Sequence, residues 1–200
     1  MENRYQRFTG SEEFCFEGKP IGKTATSFWS WAYSELENNI VRSVLAEYIV
    51  AEALSITEIP GEDFRQMWRP YDLMFEGMRI EVKSASTVQS WETRHKGKYT
   101  FKIAPARLLD PVLGYIDEAP QQRNCDIYVF CVFEPKDESL SPLNLDAWYF
   151  YAIATKIFDE KIPNQKSISL ESLKMFNPVK TDFMGLKGAI IEIKKTISNI

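Results

Sequence analysis

Residues 126–133 read DIYVFCVF. After the aspartate the run is apolar without interruption and rich in β-branched and aromatic side chains. A strand with one wet face would alternate; this one does not, so it predicts a central strand buried on both faces. The rest of the chain must supply its neighbours and its cover. Residues 148–156 (WYFYAIATK) predict a second strand, and KYTFKIA and GAIIEIKK two more. Helical periodicity runs through residues 28–54, strongest after Asn38. There Ile40, Val41, Val44, Leu45, Tyr48, Ala51 and Leu54 fall on one face, and Asn38 and Asn39 are placed to cap or break the helix. SLESLKMF reads as a short helix capped by Ser169. ARLLD reads as another, opened by Pro105 and limited by Pro111. PKDESLSPLN reads as a surface loop. The expected class is α/β, with a mixed central sheet flanked by helices.

The 200 residues are 44% hydrophobic, which suits one domain with a real core. No apolar run approaches the roughly 20 residues that cross a bilayer, so no membrane partner is expected. The N-terminus lacks the basic-then-apolar order of a signal peptide. Cys15, Cys125 and Cys131 form no CxxC pair and no even framework, which argues against structural zinc and disulfides. The expectation is a soluble, reduced, cytoplasmic protein. The net charge of −4 gives no global sign of nucleic-acid binding. Between Arg94 and Arg107, however, Arg94, Lys96, Lys98, Lys102 and Arg107 occur with no acid among them. Such a run is either a solvated loop or a face that meets phosphate.

Residues 69–85 (RPYDLMFEGMRIEVKSA) predict a hairpin turning at Glu76-Gly77. In that register Leu73 faces Ile80, and Asp72 falls opposite Glu81. Alternation puts Arg79, Glu81 and Lys83 on one face and Ile80 and Val82 on the other. Directly opposed carboxylates repel. A shared proton, the neighbouring lysine or a bound cation would relieve them, and oxygen ligands at this spacing suit Mg²⁺. The plain alternative is an amphipathic hairpin with a solvated charged face, and a three-residue turn would break the pairing. Glu47 lies in the apolar stripe of the preceding helix and needs compensation. It is preferred to Glu52 because its neighbours one turn each way are apolar.

These segments together resemble the PD-(D/E)xK, restriction-endonuclease-like nucleases. The resemblance rests on Pro70-Tyr71-Asp72, on Glu81-Val82-Lys83, on the helix with Glu47 before them and on the DIYVFCVF strand after them. It extends from about residue 28 to residue 176, over segments similar to a bacterial group of such proteins. It implies one nuclease-like domain over 1–200, with its core at about 28–156 and a C-terminal elaboration at 157–200. It implies a metal-dependent endonuclease hydrolysing DNA phosphodiester bonds, of the kind used in restriction or phage defence, with repair and recombination left open. Asp72 and Glu81 would hold Mg²⁺, or Mn²⁺, with the Val82 carbonyl as third ligand. Lys83 would position or activate the attacking water, and Glu47 would join the catalytic set as an auxiliary ligand or hydrogen-bond acceptor. Gln89 would be a polar residue near the site. Arg94, Lys96, Lys98 and Lys102 would hold the DNA backbone, and cutting both strands would favour a homodimer. Tyr71 stands where the family's motif has proline, with Pro70 one place earlier.

Other motifs carry less. GKPIGKT at 18–24 is one residue short of a phosphate-binding loop and follows no strong strand. His95 is the sole histidine, which argues against zinc hydrolases and histidine triads. Trp91 reads as core, with base stacking as the alternative. The competing function is a non-catalytic nucleic-acid-binding or assembly module on the same fold; a third is an interaction protein that shares only the architecture.

Overall fold

The computed structural model describes residues 7–59, 64–65, 69–86, 99–107, 109–110, 114–115, 120–137 and 140–198. The chain opens with a hairpin, β1 (Glu13–Phe16) and β2 (Lys19–Thr24), followed by α1 (Ala25–Tyr33) and α2 (Asn39–Leu54). Next come β3 (Leu73–Phe75), β4 (Met78–Ser86), β5 (Thr100–Lys102) and the two-residue strands β6 (Leu109–Asp110) and β7 (Gly114–Tyr115). β8 (Ile127–Phe133) and β9 (Trp148–Ala154) follow. The chain then runs through α3 (Thr155–Lys161), β10 (Ser167–Ser169), α4 (Leu170–Lys174), β11 (Val179–Thr181) and α5 (Leu186–Ser198).

The central sheet has five strands in the order β11-β9-β8-β4-β3. β4 runs parallel to β8, and the other pairings are antiparallel, so the sheet is mixed as expected. All seven residues of β8 are buried. Its alternate side chains feed two cores. Ile127, Val129, Cys131 and Phe133 pack with Ile80, Val82, Phe150 and Ala152 beneath α2 and α5. Tyr128, Phe130 and Val132 pack on the other side with Phe101, Phe158, Ile168 and Leu173. There the Phe101 and Phe130 rings meet edge-on at 4.8 Å. Truncating such a buried aromatic costs about 3–5 kcal/mol.

Three expectations need correction. GAIIEIKK is not a last strand but the body of α5. Its short alternation mimics a strand, while Leu186, Ala189, Ile190 and Ile193, the residues that are buried, follow the helical period. ARLLD forms no helix: Ala106 bridges Gln122, and Leu109 and Asp110 are extended in β6. The buried face of α2 is also rotated from the expected stripe. Ile40 and Tyr48 are exposed, whereas Ala46, Ile49, Val50 and Leu54 are inside. This helix is apolar around most of its circumference, so periodicity alone did not select the face.

The other local signals match. Asn38 caps α2, its side chain accepting from the Ile40 amide at 3.0 Å, and the helix is broken from α1 there. Ser169 caps α4 through the Ser172 amide at 3.1 Å. GKPIGKT lies in the exposed hairpin as β2, not in a strand-to-helix phosphate loop. Cys125 and Cys131 are buried free thiols. Among the described residues no helix is long and apolar enough to cross a membrane.

Candidate active site

The hairpin forms in the two-residue register. Phe75 pairs with Met78, Met74 with Arg79 and Leu73 with Ile80. Glu76 and Gly77 both have positive φ, 47° and 82°, as a primed turn requires. Glu76 bears this conformation without the glycine, asparagine or aspartate usually found there.

The ladder stops at Leu73, and the next residue is Asp72. Its amide still donates to the Ile80 carbonyl at 3.0 Å. Its carboxylate turns along β4 and accepts from the Val82 amide at 2.7 Å. The side chain thus takes the place of a strand beside β4. A strand residue's N–H and C=O point the same way, so the Val82 carbonyl faces the same gap beyond the short β3.

Glu81 and Lys83 lie on the β4 face that carries Tyr128 and Phe130 on β8, their parallel partners. Lys83 Nζ donates to Glu81 Oε1. Burial pushes both the Asp72 and the Glu81 carboxyl up, and for Glu81 the negative charge of Asp72 adds to the effect. Burial alone would lower Lys83, but the charges of Glu81 and Asp72 outweigh it and hold the ammonium protonated. Arg79, on the same strand face, is tied off by Asp126. Its Nη2 donates to Oδ1 at 2.6 Å and its Nε to Oδ2 at 3.1 Å.

Glu47 reaches the site from α2. It is 8% exposed, and the residues one turn on, Val50 and Ala51, and two turns on, Leu54, are buried. Arg65 grips it in a fork, Nε on Oε2 and Nη2 on Oε1 at 2.9 Å. Burial still pushes the Glu47 carboxyl up, and the charge of Asp72 adds to this. A cavity of about 170 Å³ opens here, bordered by Glu47, Arg65, Arg69 and Asp72. Glu52, the competing residue, instead interacts with Tyr48.

Sequence reading missed Arg65. It lies 18 residues from Glu47, and its only signal was a pair of arginines, Arg65 and Arg69, upstream of the hairpin. Lys102 is exposed on β5, which packs against β4. Gln89, Trp91, Arg94, His95, Lys96 and Lys98 lie outside the described residues.

Three carboxylates (Glu47, Asp72 and Glu81) thus share one neighbourhood with two cations, Arg65 and Lys83. Among the described residues, no three histidine, cysteine or acidic side chains are grouped to hold a metal ion together. Arg65 occupies Glu47, so the donor set available to a cation is the Asp72–Glu81 pair and the Val82 carbonyl. All are oxygen donors, which fits a hard divalent ion completed by water.

With this geometry in place, comparison with known families identifies the chain as a nuclease-family protein. The family model described as bacteriophage T4 endonuclease IV matches residues 28–172, which include every residue of the cluster, and the chain belongs to that family. No curated protein and no solved structure matched.

Proposed function

We propose that the chain is a metal-dependent DNA endonuclease with a restriction-endonuclease-like core of the PD-(D/E)xK type. The observation that carries this reading is the Asp72–Glu81–Lys83 cluster at the open end of the hairpin, in a chain of a nuclease family. Asp72, Glu81 and the Val82 carbonyl hold Mg²⁺, or Mn²⁺ in its place. When bound, the ion polarises the scissile phosphate and offsets charge developing on its oxygens.

The chain's own groups do the rest. Lys83 Nζ, kept protonated by its acidic neighbours, stabilises negative charge building on the attacking water oxygen. The Val82 amide fixes the Asp72 carboxylate in place. Glu47, held by Arg65, is an auxiliary carboxylate that sets the local charge. Lys102, with Arg94, Lys96 and Lys98, meets the DNA backbone and makes binding salt-dependent. Restriction or phage defence is the role that suits such an activity.

The test is incubation of supercoiled and linear DNA with Mg²⁺, Mn²⁺ or EDTA. Metal-dependent cutting that is lost in Asp72→Asn and in Lys83→Ala supports the assignment. Cutting that survives either substitution removes these residues from the site. DNA binding with no cleavage under any metal would instead favour a non-catalytic binding module.

A further inference from the structure

Two spaces adjoin Arg7, and the N-terminal segment before α2 helps to wall both. The first is the cavity of about 170 Å³ at the carboxylate cluster, where Arg7, Arg65 and Arg69 stand with Glu47 and Asp72. The second is a groove of about 650 Å³ lined by Arg7, Phe8, Thr9, Trp29 and Phe64. Arg7 and Phe64 border both, so the two spaces are neighbours. Pockets for organic ligands measure roughly 300–1,000 Å³. The groove falls within that range. The cavity falls below it and suits a small group.

Local bonds hold these side chains in place. The Glu12 carboxylate accepts from the Thr9 amide and from the Gly10 amide, each at 2.9 Å. The Thr26 amide and hydroxyl donate to the Gly10 carbonyl at 3.0 and 2.9 Å, which ties this turn to α1. Gly10 has φ 101°, and a Cβ there would lie 3.0 Å from the Trp29 ring. Glycine is what lets the turn lie against the indole. Arg7 Nη1 donates to the Thr57 carbonyl at 3.2 Å, which fastens the segment past the end of α2.

The two spaces differ in chemistry. The cavity brings three guanidiniums together, planar forks that match phosphate oxygens. The groove offers aromatic rings, among them Trp29 at 38% exposed, and bases stack on such faces. A small cationic space beside a larger aromatic one matches a phosphate and the nucleoside attached to it. We propose, on the nuclease reading above, that together they form a subsite for the nucleotide next to the bond that is cut. Arg65 is committed to Glu47, so the phosphate is assigned to Arg7 and Arg69. The base lies in the groove on Trp29. Arg7 is thereby a positioning residue: it fixes the strand beside Asp72 without touching the reacting atoms.

The test is binding of a short fluorescein-labelled DNA strand to the full chain, read by anisotropy across salt concentrations in EDTA, where a metal-dependent nuclease cuts nothing. Arg7→Gln is expected to weaken binding and to lower the slope of log affinity against log salt by about 0.7, the share of one phosphate on a single strand. Trp29→Leu is expected to weaken binding at least about fivefold, as loss of one stacked base implies, with the slope unchanged. Trp29→Phe keeps an aromatic face and should recover most of that loss. A merely structural role would not separate affinity from slope in this way. Arg7→Gln with the wild-type slope, Trp29→Leu with wild-type affinity or a lowered slope, or Trp29→Phe no better than Trp29→Leu would each overturn the proposal. So would a wild type that does not bind the strand. Incubation of the same strand with Mg²⁺ separates the two readings. A protein with these binding effects that cuts no DNA would keep the subsite and remove the nuclease reading. One that cuts DNA while Arg7→Gln and Trp29→Leu bind like wild type would do the reverse.

Discussion

Replacing Arg65 with methionine tests whether the carboxylate cluster is held together as described. The change strips Glu47 of its fork and leaves an acid buried among Val50, Ala51 and Leu54. Removing one partner of a fully buried pair costs about 3–5 kcal/mol. The Arg65 side chain is 41% exposed, so water already screens the pair, and a loss of about 2 kcal/mol at neutral pH is expected. For a chain of this size that lowers Tm by about 4–8 °C. The pH dependence gives the stricter check. Burial already holds the Glu47 carboxyl above its usual value, and losing Arg65 raises it further. Between the unfolded and the folded pKa the native state binds more protons, so stability falls as pH rises. In metal-free buffer the Arg65→Met penalty should therefore be small below about pH 4.3, the unfolded value, and should grow toward neutrality. Adding Glu47→Gln removes the titrating group and should recover more than half of the neutral-pH loss. Thermal melts across pH of wild type, Arg65→Met, Glu47→Gln and the double variant are the assay. A penalty that is flat with pH, or that the double variant carries in full, would refute the electrostatic account of this pair.

Three further outcomes follow from the geometry. Glu76→Asn should raise stability by about 0.5–1 kcal/mol in urea unfolding, because asparagine tolerates the left-handed conformation at φ 47°; the bond that Glu76 accepts from Lys194 is exposed and contributes little. Lys83→Met should abolish cleavage and also lower Tm in metal-free buffer, since Glu81 and Asp72 lose their shared cation, with scanning calorimetry as the check. Native protein should expose one of its three cysteines to a thiol reagent at pH 8. Cys15 is on the surface, whereas burial pushes Cys125 up to about 12 and Cys131 well above its usual value.

How far the sequence spoke depended on the range of the interactions. The β8 run was legible because seven consecutive buried residues leave no second pattern to confuse it. The Asp72–Glu81–Lys83 neighbourhood was legible because one tight turn at Gly77 sets the register over a few residues. The rotation of α2 was not, because its burial depends on α5 and on the sheet, which local periodicity does not contain. α5 was misread because five residues of alternating character fit a strand and a helix equally well. Arg65 was missed because its fork on Glu47 joins distant parts of the chain. The exposure of the α1 aromatics was not legible, since a sequence shows that tryptophan is apolar but not whether anything covers it.

The central claim is that Asp72 and Glu81 are set to hold a divalent cation. Calorimetric titration of Mg²⁺ and Mn²⁺ into the metal-free protein, without DNA, tests it most directly. The account predicts binding to wild type that Asp72→Asn and Glu81→Gln each weaken at least about tenfold, as expected when a metal's carboxylate ligand is lost, while Glu52→Gln leaves it unchanged. Equal affinity in wild type and Asp72→Asn would contradict it.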